Sequence, residues 1–347
     1  MSWNPAPDWI KIETIDLHTE GEPLRVISSG FPEPPGETML EKRRYAKQNL
    51  DHLRKALMFE PRGHADMYGA ILTDSVTEDG DIGVLFTHNE GFSTMCGHGV
   101  IALATMAFEI GAMEVSEADG PRPTMNLDTP AGRVTAYADW DAAAKRVRRV
   151  SFENVPSYAY ALGQTINVPG LGAIQFDIGF GGAFYAYVDV AANGLDVQLN
   201  SEDYRAIIDI GMRIKRAVMT SHVLRHPFEE DMGFLYGTIL YDHAHDKINH
   251  SRNVCVFAEG EVDRSPTGTG MSGRLALEWA KGRLGLGQPF TIESLIGTTF
   301  TGKVVRETTF GPHAAIVPEV SGRAWITGRH EFLIAPDDPL REGFVLR

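Results

Sequence analysis

The sequence predicts an α/β (α+β) protein made of two pseudo-symmetric copies of one unit, facing each other across a cleft. Three observations lead there. The chain repeats itself at an offset close to half its 347 residues. Strand-like and helix-like runs alternate in both halves. In each half, a short glycine-bearing loop carries a strand-like run into a helical one. The strongest echo aligns "STMCGHGVIALATMAFEIGA", from Ser93, with "RSPTGTGMSGRLALEWAKGRLG", from Arg264. Placing Cys96 on Thr267 sets Gly97 on Gly268, His98 on Thr269 and Gly99 on Gly270. The same register sets Phe86 on Phe257, and "YGAIL" from Tyr68 recurs as "YGTIL" from Tyr236 at nearly the same offset.

Taken in order, the first half offers strands at "KIETIDLHT", "PLRVISS", "YGAILT", "IGVLFTH" and "RVTAYAD". The second half offers them at "AIQFDIGF", "FYAYVDV", "YGTILY", "NVCVFAE" and "FTGKVVRE". Apolar residues recur every three to four positions in "YAKQNLDHLRKALM", "GHGVIALATMAFEIG", "SEDYRAIIDIGMRIKRAVM" and "TGMSGRLALEWAKGRL", which therefore read as helices. Gly111 and Gly285 follow two of them, where a left-handed C-cap calls for glycine. The stretch 154–173 is rich in Pro, Gly and Asn and reads as the domain boundary. A first domain over 1–160 and a second over 161–329 result, with the tail 330–347 expected to return to the first as a closing strand.

Composition sets the class. Hydrophobic residues at 43% and charged residues at 22% describe an ordinary soluble globular protein. A net charge of −14 argues against nucleic acid or an anionic membrane surface as partner. No apolar run approaches the length of a membrane span, and the first residues show no signal-peptide core. Cys96 and Cys255 are the two cysteines, so there is no disulfide framework and no paired metal motif. A cytoplasmic protein is expected; a homodimer is left open.

The two echoing loops carry the chemistry. Helix N-termini present unpaired N–H groups and partial positive charge, so two aimed at one point suit a small carboxylate. Gly97 and Gly268 permit close backbone approach because no Cβ intrudes. A phosphate fits less well, since neither loop carries a Lys or Arg at the anion as a P-loop does. Cys96 at a helix start is expected to have a lowered thiol pKa and to be the reactive group. Cys255, in an apolar strand run, is expected to pack in the core. His98 is open between ligand, base and structural residue. "DHAHD" (242–246) has no partner cysteines and "LGLGQ" no strand-to-helix context, so neither reads as a metal or dinucleotide site. Asp263 is the nearest acid to the pocket and the natural counter-charge for an ammonium.

"MCGHG" (95–99) and "DRSPTGTG" (263–270) resemble the two active-site signatures of the proline racemase family. "IDLHTEGEPLRVI", "PRGHADMYGAIL", "GGAFYAYVDV", "YGTIL" and "DPLREGF" are similar to further stretches of it, so the likeness runs over nearly the whole chain. The resemblance implies two diaminopimelate-epimerase-like domains with the active site in the cleft, and neither pyridoxal phosphate nor metal. It implies an imino acid substrate, with Cys96 as base, the N–H groups of Gly97, His98, Gly268 and Thr269 on its carboxylate, and Asp263 on its ring ammonium. One departure matters. Racemases and epimerases of the family carry a cysteine in each loop, whereas here the second position is Thr267. A threonine hydroxyl is too weak a base to share proton transfer near neutral pH. The sequence therefore resembles the branch that dehydrates trans-3-hydroxy-L-proline, with 4-hydroxyproline 2-epimerase or proline racemase as the alternative. Thr267 is then expected to bond the 3-hydroxyl or a water.

Overall fold

In a computed structural model, residues 3–115 and 120–346 are described. The first half runs β1 (Ile10–Thr19), β2 (Glu22–Ser29), α1 (Met39–Asn49), α2 (Asp51–Met58), β3 (Gly69–Thr73), β4 (Ile82–Thr87), α3 (Gly97–Glu109), β5 (Thr124–Thr129), β6 (Gly132–Asp141) and β7 (Arg146–Glu153). The second runs β8 (Tyr158–Val168), β9 (Gly172–Phe180), β10 (Phe184–Asp189), α4 (Tyr204–Ser221), β11 (Leu235–Asp242), β12 (Ser251–Phe257), β13 (Glu261–Asp263), α5 (Gly268–Ala280), β14 (Phe290–Glu293), β15 (Thr299–Phe310) and β16 (His313–Gly322). A last strand, β17 (Ala324–Ile334), lies antiparallel to β1.

Strand pairing repeats with the sequence. β2 is parallel to β3, β3 antiparallel to β4, and β4 parallel to β5. β10, β11, β12 and β14 follow the same succession in the second half. Each parallel pair needs a long crossover, which α1 and α2 supply in the first half and α4 in the second, while α3 and α5 supply the other two. Antiparallel pairs β5–β6–β7 and β14–β15–β16 complete each copy, and β7 pairs with β16 to join them. The fold is thus two pseudo-symmetric α+β domains.

Helices α3 and α5 are buried over nearly their whole length, as their lack of a polar face requires. Residues 45–58, read as one helix, form parts of two. Leu50 leaves the helical region (φ −119°, ψ 6°), and Asp51 opens α2 with its own pairing to Arg54 at 2.5 Å. α1 starts earlier than its periodicity suggested, because Thr38 and Glu41 close a capping box. The left-handed glycine after α3 is Gly111 (φ 72°), but after α5 it is Gly282 (φ 68°) rather than Gly285. α5 ends one turn sooner than its apolar pattern. Within 154–173, β8 occupies most of the stretch and pairs with β9. Among the described residues no helix is long and apolar enough to cross a membrane.

Around "DHAHD" the backbone serves a structural carboxylate. Glu293 is buried at the end of β14 and accepts from Asp246 N (2.7 Å), His245 N (3.0 Å), Asn249 Nδ2 (3.0 Å) and Arg252 Nε (3.0 Å). Burial pushes its pKa up, but the bonds from Asn249, Asp246, His245 and Arg252 outweigh that and hold it at about 2, below the usual 4.5. Its stabilising contribution is therefore complete above pH 4.5 and is lost as pH falls through 2. Glu293→Gln should cost about 3 kcal/mol at pH 7, because Arg252 keeps a buried, unpaired charge. Thermal melts should show the gap to the parent protein closing between pH 4.5 and 2.

Candidate active site

α3 and α5 meet N-terminus to N-terminus where the two halves touch. A Cβ on Gly97 would lie 2.6 Å from Gly268 Cα, and one on Gly268 would lie 2.7 Å from Gly97 Cα. Glycine is thus required at both positions for the helices to come this close. Their first-turn N–H groups at Gly97, His98, Gly268 and Thr269 have no acceptor among the described residues. Both helix dipoles direct positive potential into the same space. The turns are held from outside: Thr19 Oγ1 donates to His98 O (2.8 Å), Tyr187 Oη to Gly270 O (2.7 Å), and Tyr185 Oη bonds Thr269 Oγ1 (2.6 Å). Such an arrangement of N–H groups and helix dipoles suits a small anion.

Cys96 caps α3. Its Sγ accepts from Gly99 N at 3.2 Å and lies 3.2 Å from His98 Nδ1. The lowered thiol pKa expected from the helix start is not what the site produces. Burial pushes the thiol well up; the Gly99 N–H pulls it down, and the Asp263 and Glu22 carboxylates push it up further. His98 is held neutral, with burial and the Arg264 guanidinium bringing its pKa down to about 3. A Cys–His ion pair is therefore disfavoured. The resting site holds a thiol beside a neutral imidazole, and a cation entering it would shift Cys96 toward thiolate.

The pseudo-symmetry breaks at Thr267. Cys96 sits in extended backbone (φ −144°), but Thr267 is left-handed (φ 66°) and does not cap α5. For a β-branched residue this conformation costs about 1–3 kcal/mol. Its Oγ1 is buried with no well-formed hydrogen bond, yet close enough to Asp263 and Cys255 to offset a part of the rise that burial imposes on both pKa values. Asp263 Oδ1 accepts from Ser265 N (2.8 Å), and burial raises its pKa. Across the halves, Glu22 Oε2 accepts from Arg264 N (2.7 Å) and faces Arg264 Nε (3.1 Å), which anchors the DRSPTGTG loop on β2.

The structure thus brings Cys96, Gly97, His98, Asp263, Thr267, Gly268 and Thr269 around one cavity, of about 20 Å³. That is room for about one water, so the halves meet closely here. Sequence reasoning missed other walls of this cavity: Tyr68, Tyr185, Tyr236, Phe257 and Cys255. Cys255, assigned above to the core, is buried but faces the cavity from β12, directly opposite Asp263 in the β12–β13 register. The one available signal was the YGAIL/YGTIL echo, which carries two of the tyrosines.

The proline racemase family profile matches residues 14–345. The chain belongs to the proline racemase family. This family member is 45% identical to a trans-3-hydroxy-L-proline dehydratase of Colwellia psychrerythraea, over 99% of this chain and 96% of that one. It is also 45% identical to the Homo sapiens protein of the same name, over 97% and 95% of the two chains. Among solved structures, a hydroxyproline epimerase from Agrobacterium vitis with trans-4-hydroxy-L-proline bound superposes with a TM-score of 0.91 at 29% identity, covering 98% of this chain and 96% of that one.

The glycine contact makes a direct prediction. Gly268→Ala should force the two racemase-family loops apart and lower turnover of any substrate held between them about a hundredfold. Overpacking should cost about 1–3 kcal/mol. Steady-state kinetics beside a thermal melt check both; unchanged turnover would show that the contact does not set the site.

Proposed function

We propose that the chain dehydrates trans-3-hydroxy-L-proline to Δ1-pyrroline-2-carboxylate and water. The observation that carries this is the unequal pair of loops: one thiol caps its helix, while the other loop holds a threonine in a different backbone conformation. Full-length likeness to relatives bearing the dehydratase name supports the same reading.

The residues divide the work as follows. The substrate carboxylate lies between the N–H groups of Gly97 and His98 and those of Gly268 and Thr269, and the ring ammonium lies against Asp263. That ammonium is the cation that favours the Cys96 thiolate. Cys96 removes the α-proton, and the carboxylate takes up charge as an enediolate develops. Each well-aimed donor on that charge contributes about 2.7–4 kcal/mol. In trans-3-hydroxyproline the α-hydrogen shares a ring face with the hydroxyl, so both departures occur on the Cys96 side. Loss of the C3 hydroxyl leaves an enamine that tautomerises to the imine. Closure of the halves excludes water and strengthens every charge interaction in the site. Each step uses only groups of this chain.

One observation favours a second reading, epimerisation or racemisation: Cys255 offers another thiol in the same cavity. That thiol lies within β12, whereas Cys96 sits at a helix start and accepts from Gly99 N, so the first-turn support for a thiolate belongs to Cys96. A panel of L-proline, trans-4-hydroxy-L-proline and trans-3-hydroxy-L-proline separates the readings. Only the last should be consumed, with imine appearing and no D-isomer forming from the others. D-proline formation would move the assignment to an isomerase.

Cys96→Ala should bind the planar mimic pyrrole-2-carboxylate while turnover falls by at least about 10²–10⁴. Calorimetric titration and the imine assay read these separately; appreciable dehydration by this variant would remove Cys96 from the mechanism.

A further inference from the structure

Tyr68 and Tyr236 occupy equivalent places in the two copies, and their hydroxyls meet at 3.0 Å across the closed halves. Both are buried and line the cavity with Cys96. The direction of the hydrogen bonds follows from the chain they form. Ser93 Oγ donates to Met95 O (3.2 Å), so it accepts from Tyr68 Oη (2.9 Å). Tyr68 has then committed its proton, and Tyr236 must be the donor in the bond between the two phenols. The Tyr68 oxygen thus receives a hydrogen bond from the opposite half of the molecule, which stabilises negative charge there. The His98 ring meets Tyr68 edge-on, 4.8 Å between centroids, and fixes the phenol beside Cys96. Tyr68 and Cys96 line the same cavity, and burial with the neighbouring Cys96 pushes the phenol pKa well up, so that Tyr68 rests as a protonated acid.

We propose that Tyr68 is the acid that protonates the departing C3 hydroxyl, with Tyr236 as its positioning residue; this rests on the dehydratase reading above. Tyr68 and Cys96 both come from the first half, which suits a substrate whose α-hydrogen and hydroxyl share one face. The cycle balances. The Cα–H proton passes to Cys96 sulfur, and the electrons left at Cα form the C2–C3 double bond as the C3–O bond breaks. The leaving oxygen takes the phenolic proton of Tyr68 and departs as water. The thiol proton then passes to the Tyr68 oxygen, restoring phenol and thiolate. Tyr236 stabilises the phenolate between those two transfers, and it does so only when the halves are closed.

The test uses trans-3-hydroxy-L-proline with hydrogen or deuterium at Cα, turned over by the full-length protein and by Tyr68→Phe and Tyr236→Phe. Tyr68→Phe should lower kcat by about 10²–10⁴. Its primary isotope effect should fall to one, because C3–O cleavage then limits the rate. Tyr236→Phe should lower kcat by on the order of tenfold, with the isotope effect moving the same way. Turnover by Tyr68→Phe within about threefold of the parent overturns the proposal, as does slow turnover with a full isotope effect, which would place Tyr68 in proton abstraction instead. If Tyr68→Phe does not fold, Tyr236→Phe decides, and an unchanged rate there overturns it. A parent protein that binds the substrate without dehydrating it defeats the dehydratase reading itself, and is seen before either variant is assayed.

Discussion

The contact of Gly97 with Gly268 is the constraint from which the rest of the site follows. Two helices that each carry unpaired N–H groups and positive potential at their first turn repel when aimed at one another. They stay there because the sheets hold them: each helix is buried against its own half, and β7 pairs with β16 to fix the halves side by side. On the first turns, the carbonyls of His98 and Gly270 accept from Thr19 and Tyr187 and the Thr269 hydroxyl bonds Tyr185, which leaves the N–H groups for a ligand. An anion between the helices relieves their repulsion. The fold therefore favours an anionic ligand group at this point, which is the place the proposed reaction gives to the substrate carboxylate.

Duplication explains both the symmetry and its failure. Strand order, crossovers and the two phenols at the interface are all repeated, yet residue 267 differs from residue 96 in chemistry and in backbone. The left-handed conformation turns the Thr267 side chain toward Asp263 and Cys255 and away from the cap that Cys96 makes. The second loop thus lacks both a thiol and the helix-capping geometry that Cys96 has in the first. Exchange of one side chain would not restore a second base by itself.

What was legible in the sequence was what local chemistry sets. The glycines, Cys96 and Thr267 lie within a few residues of each other in two strings, and α3 and α5 announce themselves by apolar character. β7 and β16 were not legible, because their alternation mixes charged residues with buried ones and their partners lie far along the chain. A closing strand was expected over 330–347, whereas β17 pairs with β1 over Ala324–Ile334. β8 was hidden by Gly163, which is left-handed (φ 60°) at an interrupted register with β9. Cys255 packs in the core as expected, but that it also lines the cavity, as Tyr68 does, shows only once distant strands are paired.

The expectation for Cys96 failed most instructively. A helix start lowers a thiol pKa when water still surrounds it. Here closure removes the water, and desolvation with two nearby carboxylates outweighs the N–H donor from Gly99. An enzyme that must break a C–H bond gains from this. A thiolate in an empty site would be open to oxidation and to stray electrophiles. A thiol that ionises only beside the substrate's ammonium is reactive when there is a proton to take. In the proposed dehydration, the same buried Asp263 that raises the Cys96 pKa before binding would hold the ammonium, so binding and activation would be one electrostatic event. Catalysis then depends on charge that the substrate itself brings, and a neutral analogue without the ring ammonium would meet a site whose base is still protonated.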